Sequence, residues 1–226
     1  MNALVEISSP VSLVETGRKK QIKSINSRHS SKLDHSQNNL STKLLTDPAR
    51  LQEIYDLRLE VWEHSGNNEF VNRQLFPNGW YDELDEAAFH WVTFNDRNKI
   101  IAAARLNIFH SLEQSPYYDS IRHLAFPTDI PFAFYSRLVV HPQYRHNGLS
   151  QQLYNGRAQY CVEREIKWSQ VFINNSYVIG LFEKEGFKNI GQAEINYHTS
   201  SHPHSVNVFV KENNCNKSDY DSYLIL

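Results

Sequence analysis

The sequence predicts a single α/β domain. Apolar runs of strand length and amphipathic segments of helical length follow one another along residues 45–212, in the order helix, strands, helix, strand, helix, strands. A strand, a glycine-containing turn and a helix form the middle of this series, from Phe132 to Cys161. With 226 residues, of which 40% are hydrophobic, the chain is long enough to bury one sizeable core.

Composition excludes several other classes of protein. The net charge of −2 produces no overall field that would favour nucleic acid or a membrane surface. The two cysteines, Cys161 and Cys215, make no disulfide framework, which favours a reduced, cytoplasmic setting. The first residues lack the charge and the apolar core of a signal peptide, and no apolar run is long enough to span a bilayer.

The two ends of the chain are expected to lie outside the domain. Residues 1–44 are rich in Ser, Asn, Lys, Gln and His, with too few large apolar groups to offset the entropy of ordering. We therefore predict a mostly disordered polar segment, which can still cover a partner or a substrate groove. Residues 213–226 form a polar tail whose apolar end can dock on the domain.

The domain opens with a helix and a hairpin. Thr46-Asp47-Pro48 predicts a helix start, because a capping side chain precedes a proline at the first helical position. This helix ends near residues 64–66, before an irregular aromatic stretch. Strand-like runs at 88–94 and 100–107 are joined by Asn-Asp-Arg-Asn, a hairpin signal. Residues 110–130 form a long connection, and loops of that length are usually functional or mobile.

The run from Phe132 to Val140 predicts the central strand. His141-Pro142 ends it, because proline cannot donate a hydrogen bond to the sheet. A polar turn covers residues 143–150, and the apolar spacing from Leu149 predicts the next helix. The remaining segments predict a strand, a short helix and two further strands, at residues 169–173, 178–185, 187–196 and 206–210.

The turn before this helix has the chemistry of a phosphate site. The first turn of a helix has free backbone N–H groups and the positive end of the helix dipole. Gly148 lets the backbone approach an anion closely, and Arg145 adds a full charge beside it. An ordinary connection between a strand and a helix has the same residues, so the turn by itself leaves both interpretations open.

The wider pattern resembles the GNAT acyltransferases. Their pyrophosphate signature is arginine or glutamine, two residues, glycine, one residue, and glycine or alanine; here Ser150 departs from it at the last position. The run Asn175–Phe187 is similar to the second GNAT signature, an asparagine-led helix that ends in a glycine-phenylalanine turn. The resemblance implies a mixed, mainly antiparallel sheet flanked by helices. It also implies transfer of an acyl group, acetyl or longer, from acyl-CoA to a small-molecule or peptide primary amine, by direct attack in a ternary complex.

In such an enzyme the backbone does most of the donor binding. Amides of the turn would hold the diphosphate, and the exposed edge of the central strand would pair with the pantetheine arm like an added strand. The resemblance implies that an N–H near Leu138 faces the thioester oxygen and that Asn175 contacts the arm. The expected donor-binding residues are Leu138, Val139, Val140, Arg145, His146, Asn147, Gly148, Leu149, Ser150, Asn175 and Phe182.

One of these residues departs from the family in a way that matters for catalysis. Many GNAT members have a tyrosine four residues before the glycine of the second signature, as general acid for the leaving thiolate, where this chain has Phe182. Tyr177 lies five residues earlier on the helix and is expected to point elsewhere. The loss slows such a reaction without forbidding it; alternatively, the protein has lost catalysis and only binds acyl-CoA.

A further set of residues resembles the autoinducer synthases, the N-acyl amino acid synthases and the ElaA-type GNAT proteins. The residues similar to those of the synthases are Arg58, Trp62, Asp82, Asp85, Arg105, Leu106, Ser136 and Arg137. The ElaA-type proteins share most of this set and also have a histidine after the paired acids, here His90. The autoinducer synthases have a glutamate where this chain has Phe134, which argues against homoserine lactone synthesis. An alternative function is transfer of a long acyl chain from the phosphopantetheine of an acyl carrier protein to an amino acid or a peptide side chain. That function needs an apolar tunnel lined by residues such as Phe132, Phe134 and Phe172.

The arginines and aspartates of this set, together with Trp62, suggest a site for the amine acceptor. Arginines and aspartates drawn together can bind a zwitterion such as an amino acid, and we assign Arg58, Trp62, Asp82, Arg105 and Arg137 to that role. A structural network of ion pairs is the alternative.

Catalytic assignments follow from the same set. Asp85, or a water that it holds, is predicted to accept the amine proton, and Tyr135 to position the acceptor. A histidine such as His90 is more often a core residue than a base. No metal is expected at His198, His202 and His204, because a fourth ligand at useful spacing is missing.

Overall fold

The computed structural model describes residues 40–65, 71–126, 131–196 and 203–215. Within these ranges seven strands occur: β1 Thr42–Leu44, β2 Phe89–Phe94, β3 Ile100–Phe109, β4 Phe132–Val140, β5 Trp168–Ile173, β6 Lys188–Ile195 and β7 His204–Glu212. The same ranges contain four α-helices: α1 Leu51–His64, α2 Tyr118–Ile121, α3 Leu149–Glu163 and α4 Ser176–Lys184.

All seven strands belong to one sheet, in the order β1-β2-β3-β4-β5-β7-β6. Strands β4 and β5 run parallel, and every other neighbouring pair is antiparallel. The expected α/β class, with a mixed and mainly antiparallel sheet flanked by helices, is therefore confirmed.

Helices cover both faces of the sheet because side chains alternate along each strand. On β3, Ala102 and Ala104 face a core that α3 and α4 cover, with Leu153 and Phe182 at its centre. Ala103, between them, faces the opposite side and packs beneath α1. The sheet is thus the middle layer of the fold, with α1 on one face and α3 and α4 on the other, and its central strands are buried.

Local capping chemistry sets the helix starts much as the sequence predicts. The Asp47 side chain accepts a hydrogen bond from the Ala49 N–H at 3.0 Å, which begins a short 3₁₀ turn that leads into α1. The Asn175 side chain accepts from the Val178 N–H at 3.0 Å and caps α4. Both caps fix the point at which a helix meets the sheet.

Strand β4 contains a bulge at Arg137. Ala103 pairs with Val139 and Arg105 with Ser136, so β4 has one residue more than β3 between these pairs. Arg137 adopts a left-handed backbone, with φ of +55°. Pairing between β4 and β5 ends at Tyr135, and the remaining five residues of β4 diverge from its parallel neighbour.

Two segments are more ordered than the sequence indicates. Thr42–Leu44 pairs with β2, so the folded part begins inside the segment that we expected to be disordered. The connection after β3 contains α2, and its buried residues Leu112, Ile121 and Phe126 cover the sheet beside β4. Residues 1–39, 127–130 and 216–226 lie outside the described part of the chain, so the predictions for those segments are not tested.

Two helical glycines provide a matched test of the packing between α3 and the sheet. A Cβ at Gly156 in α3 would lie 2.7 Å from the Trp91 ring, whereas a Cβ at Gly180 in α4 would meet nothing within 4 Å. We expect Gly156→Ala to lower the free energy of unfolding by about 1–3 kcal/mol, because the buried ring must move. Gly180→Ala should raise it by roughly 0.5 kcal/mol through helix propensity. Urea unfolding measures both, and a shift of the same sign in the two variants would contradict this packing.

Candidate functional site

A pocket of about 300 Å³ lies beside the divergent end of β4. Four segments of the chain line it. They are the end of α1 with Val61, Trp62 and Ser65; the end of β4 with Leu138, Val139 and Val140; the following turn with Tyr144, Arg145, His146, Gly148, Leu149 and Ser150; and the start of α4 with Asn175, Tyr177 and Val178.

The turn before α3 lines this pocket, and its conformation leaves backbone amides without helical partners. His146 and Gly148 both have left-handed backbone conformations, and the Asn147 side chain donates to the carbonyls of Tyr144 and Arg145 at 3.1 Å each. The first hydrogen bond of α3 runs from the Gln152 N–H to the Gly148 carbonyl, so the preceding amides have no acceptor within the helix. A Cβ at Gly148 would meet nothing within 4 Å, which shows open space above the turn. This arrangement suits an anion such as a diphosphate.

The divergent end of β4 provides a second type of contact. Residues beyond Tyr135 pair with β3 on one side and have no partner in β5 on the other. The three residues that end the strand, Leu138 to Val140, line the pocket. An extended ligand that contains amide groups can therefore pair with this edge as an added strand.

Most of the residues that we expected to bind the donor meet in this pocket, and two do not. Asn147 shapes the turn through its hydrogen bonds instead of lining the cavity. Phe182 is 1% exposed and packs in the core, with its ring centroid 4.9 Å from that of Phe187 and 5.7 Å from that of Tyr154. Its burial argues against the prediction that Phe182 contacts the donor.

Five lining residues were missed from the sequence: Val61, Ser65, Tyr144, Tyr177 and Val178. Tyr177 was expected to point elsewhere, but it lines the pocket and its side chain is 72% exposed. Three of the five could have been predicted from their closeness in sequence to predicted site residues. Tyr177 and Val178 lie in the first helical turn after Asn175, and Val61 adjoins Trp62.

The charged residues that we expected to bind the acceptor form a network of buried ion pairs that includes Asp85. The two terminal nitrogens of Arg58, Nη1 and Nη2, each donate to one carboxylate oxygen of Asp85, at 2.9 Å. Arg105 lies 2.5 Å from Asp82 and 3.0 Å from Asp85. Arg137 pairs with Asp82, and its guanidinium lies 4.0 Å from the centre of the Trp80 ring. These contacts connect α1, the segment before β2, and strands β3 and β4.

Charge compensation keeps both aspartates ionised. Burial raises the pKa of Asp85, but the charges of Arg58 and Arg105 outweigh it and lower the pKa to about 2. Burial likewise opposes the ionisation of Asp82, and Arg137 and Arg105 hold its pKa well below the usual range. A carboxylate held ionised by two buried arginines is a poor proton acceptor near neutral pH, which argues against the prediction that Asp85 accepts the amine proton.

The histidine beside this network is neutral. Burial, followed by the charge of Arg58, lowers the pKa of His90 to about 4. Its Nε2 lies 3.8 Å from Asp85 Oδ1, and the residue is 4% exposed. His90 is therefore a core residue within β2, in agreement with the expectation that it is not a base.

Tyr135 also lies inside the core. It is 1% exposed, and its hydroxyl lies 3.6 Å from the Cys161 sulfur. Burial raises its pKa well above 10. Its position argues against the prediction that Tyr135 positions the acceptor. Of the predicted acceptor residues, Trp62 alone lines the pocket, so the geometry favours the alternative, a structural network.

The region expected to hold an apolar tunnel is filled by aromatic rings. Phe132, Phe134 and Phe172 are buried. The ring centroids of Phe134 and Phe172 are 5.1 Å apart. Those of Phe126 and Phe132 are 4.9 Å apart, in an edge-to-face contact. These side chains occupy the space that a long acyl chain would need.

Neither a metal-binding cluster nor a membrane-spanning helix occurs in the described ranges. No group of three His, Cys, Asp or Glu side chains there is placed to hold a metal ion, and His198 and His202 lie outside those ranges. No described helix combines the length and the apolarity that crossing a membrane requires.

Comparison with known proteins gives a consistent result. Residues 51–187 match the profile of the family described as Acetyltransferase (GNAT) family. A search of curated protein sequences finds no significant match.

Solved structures with the same fold are numerous. Arylalkylamine N-acetyltransferase 2 from Aedes aegypti has a TM-score of 0.57 and 15% identity, over 78% of this chain and 100% of that one. FeeM, an N-acyl amino acid synthase from uncultured soil microbes, has a TM-score of 0.52 and 15% identity, over 76% and 90%. Arabidopsis thaliana NAA60, in complex with a bisubstrate analogue, has a TM-score of 0.52 and 15% identity, over 76% and 98%.

The ion-pair network should make stability depend on Asp85 and on pH. We expect Asp85→Asn to lower the free energy of unfolding by about 3 kcal/mol at pH 7, because Arg58 loses its buried partner. Since the folded pKa is about 2 and the ordinary value is 3.8, the contribution of Asp85 is complete above about pH 4 and disappears as the pH falls towards 2. Urea titrations at pH values between about 4 and about 2 should therefore show the difference in unfolding free energy between the variant and the wild type decreasing towards zero.

Asp119→Asn is the control for this experiment. Its carboxylate is 89% exposed and lies 3.9 Å from Arg122, so its loss should change stability by less than about 0.5 kcal/mol. Equal effects of the two substitutions would refute a structural role for the network.

Proposed function

The chain belongs to the GNAT acetyltransferase family, and on this basis we propose that it transfers a short acyl group, such as acetyl, from CoA to a primary amine. Family membership and fold support N-acyl transfer in general. The donor, the direct attack in a ternary complex and the acceptor class, a small molecule or a peptide, are the proposed parts. A cytoplasmic location belongs to the same proposal, favoured by two free cysteines.

One observation carries this proposal. An anion-binding turn, an unpaired strand edge and the capped start of a helix, which are far apart in sequence, line the same pocket. CoA combines a diphosphate with a pantetheine arm that contains two amides, and it supplies the acyl group as a reactive thioester. The turn fits the diphosphate, because its amides lack helical partners and Gly148 leaves open space above them. The edge of β4 fits the arm.

Each lining segment then has a role in the transfer. Amides of the turn and Arg145 would hold the diphosphate, and Asn175 would fix the arm from the side opposite β4. The Leu138 N–H would donate to the thioester oxygen, where negative charge develops as the amine nitrogen bonds to the carbonyl carbon. The carbon–sulfur bond then breaks, and the electron pair leaves with sulfur.

The amine proton would pass through water to the departing sulfur. Asp85 is not the carrier in this proposal, because Arg58 and Arg105 hold its carboxylate ionised and buried. Tyr135 is excluded because it is buried with a raised pKa. A thiolate leaves without full protonation more readily than an alkoxide, so Phe182 at the usual acid position is compatible with turnover.

A short acyl group is favoured by the packing around β4. The rings of Phe132, Phe134 and Phe172 occupy the volume proposed for a long chain. A long acyl chain delivered by an acyl carrier protein would require these buried rings to separate. The likeness to FeeM concerns the fold alone at 15% identity.

A protein that binds acyl-CoA without catalysis is the second candidate. Phe182 favours it, because a phenylalanine has no proton to give to the leaving thiolate. Release of free CoA from acetyl-CoA in the presence of a panel of primary amines separates the two candidates.

Charge reversal in the turn tests the donor site. We expect Arg145→Glu to weaken CoA binding at least tenfold, because a charge-assisted contact with the diphosphate becomes repulsive. Gly148→Val should act similarly, because φ at this position is +70°, a conformation that disfavours a β-branched residue. Calorimetric titration with CoA measures both.

Arg122→Glu serves as the control, since it makes the same charge change on an exposed residue that does not line the pocket. Unaltered CoA affinity in Arg145→Glu and Gly148→Val would remove the proposed donor site.

A further inference from the structure

An exposed aromatic ring stands at the edge of the pocket and has no ring partner among the described residues. Tyr177, in the first turn of α4, is 72% exposed although it lines the pocket. Within the described ranges, the other exposed large apolar residues are Leu75 and Tyr81, and the Tyr81 ring packs on Tyr55 with centroids 5.3 Å apart. Tyr177 has no comparable ring contact in those ranges.

The backbone beneath this ring is fixed. Asn175 caps the helix by accepting from the Val178 N–H, and it lines the same pocket. Tyr177 lies between these two residues, so its Cα has a defined position. A tyrosine has two side-chain torsions and therefore loses little entropy when a ligand covers it. The position suits a flat group that projects from the pocket.

Among thioester donors, CoA has such a group and a carrier-bound arm does not. Beyond its diphosphate, CoA continues into an adenosine, whereas the arm on a carrier protein ends in a single phosphate on the protein. A purine offers a π-face to an aromatic side chain, and stacking of this kind adds measurably to affinity. The turn at residues 145–150 and Tyr177 line one cavity, so a donor whose diphosphate lies on the turn brings its purine within the region of Tyr177.

We propose that Tyr177 stacks on the adenine of CoA and thereby makes the pocket select CoA over thioesters of carrier-bound phosphopantetheine. This inference rests on the proposed function, because it takes the same pocket as the donor site. It assigns Tyr177 to donor specificity and not to proton transfer. Its hydroxyl is then dispensable and its ring is not.

The test compares two probes across four proteins. CoA and 4′-phosphopantetheine, which lacks the nucleotide, are titrated calorimetrically into the wild type, Tyr177→Ala, Tyr177→Phe and Tyr81→Ala. Tyr81→Ala is the control, because that tyrosine is also exposed, at 52%, and does not line the pocket. We expect Tyr177→Ala to weaken CoA binding about tenfold and to leave phosphopantetheine binding unchanged. Tyr177→Phe and Tyr81→Ala should retain the affinity of the wild type for CoA.

The outcomes separate this inference from the proposed function. Equal losses for CoA and phosphopantetheine in Tyr177→Ala would overturn adenine stacking and place the ring on the arm. A loss in Tyr177→Phe as large as that in Tyr177→Ala would overturn it in favour of a hydroxyl contact. Unchanged CoA affinity in Tyr177→Ala would also overturn it while leaving the donor site in place. Failure of the wild type to bind CoA at all would overturn the proposed function itself.

Discussion

The bulge at Arg137 is the feature on which the site depends. An arginine in the left-handed region costs roughly 1–2 kcal/mol relative to an ordinary strand conformation. The ion pair with Asp82 and the stacking over Trp80 hold the side chain of this residue in place. Because the bulge turns the end of β4 away from β5, the edge from Leu138 to Val140 is left open to the pocket. The backbone strain at one residue thus creates the proposed binding edge.

The buried charges support this geometry. Arg58, Arg105 and Arg137 are directed at Asp82 and Asp85, and each aspartate bridges two arginines. Breaking such a network leaves an uncompensated charge in the core, so it specifies one arrangement of α1 and the central strands. A zwitterion could enter only by displacing ion pairs that are already well formed.

The opposite face of the sheet braces the same region. Arg157 in α3 is fully buried and donates to the Arg105 carbonyl at 3.3 Å, while its guanidinium lies 4.6 Å from the centre of the Tyr135 ring. Contacts on both faces of the sheet therefore hold the backbone near the bulge: Arg157 on the α3 side and the ion pairs of Arg105 and Arg137 on the α1 side. This explains why Tyr135, next to the point of divergence, is a packing residue.

The sequence predicts what depends on local chemistry and fails where packing decides. The β4 strand, the cap at Asp47 and the turn at Gly148 follow from proline, capping and glycine rules. The bulge could not be predicted, because an arginine gives no sign of a left-handed backbone. Whether Tyr177 or Phe182 faces the pocket depends on the rotation of α4 about its axis, which the core sets. The ion pairs of Asp85 could not be predicted either, because spacing does not reveal whether a carboxylate has partners.

Hydrogen–deuterium exchange of the wild-type protein with and without CoA tests the central claim most directly, because it reports on the backbone amides that the account assigns to the donor. The account predicts slower exchange on CoA addition in residues 145–151 and 138–140, and no change in the edge strand β6. Binding of CoA that leaves those amides unprotected, or that protects other parts of the sheet instead, would contradict it.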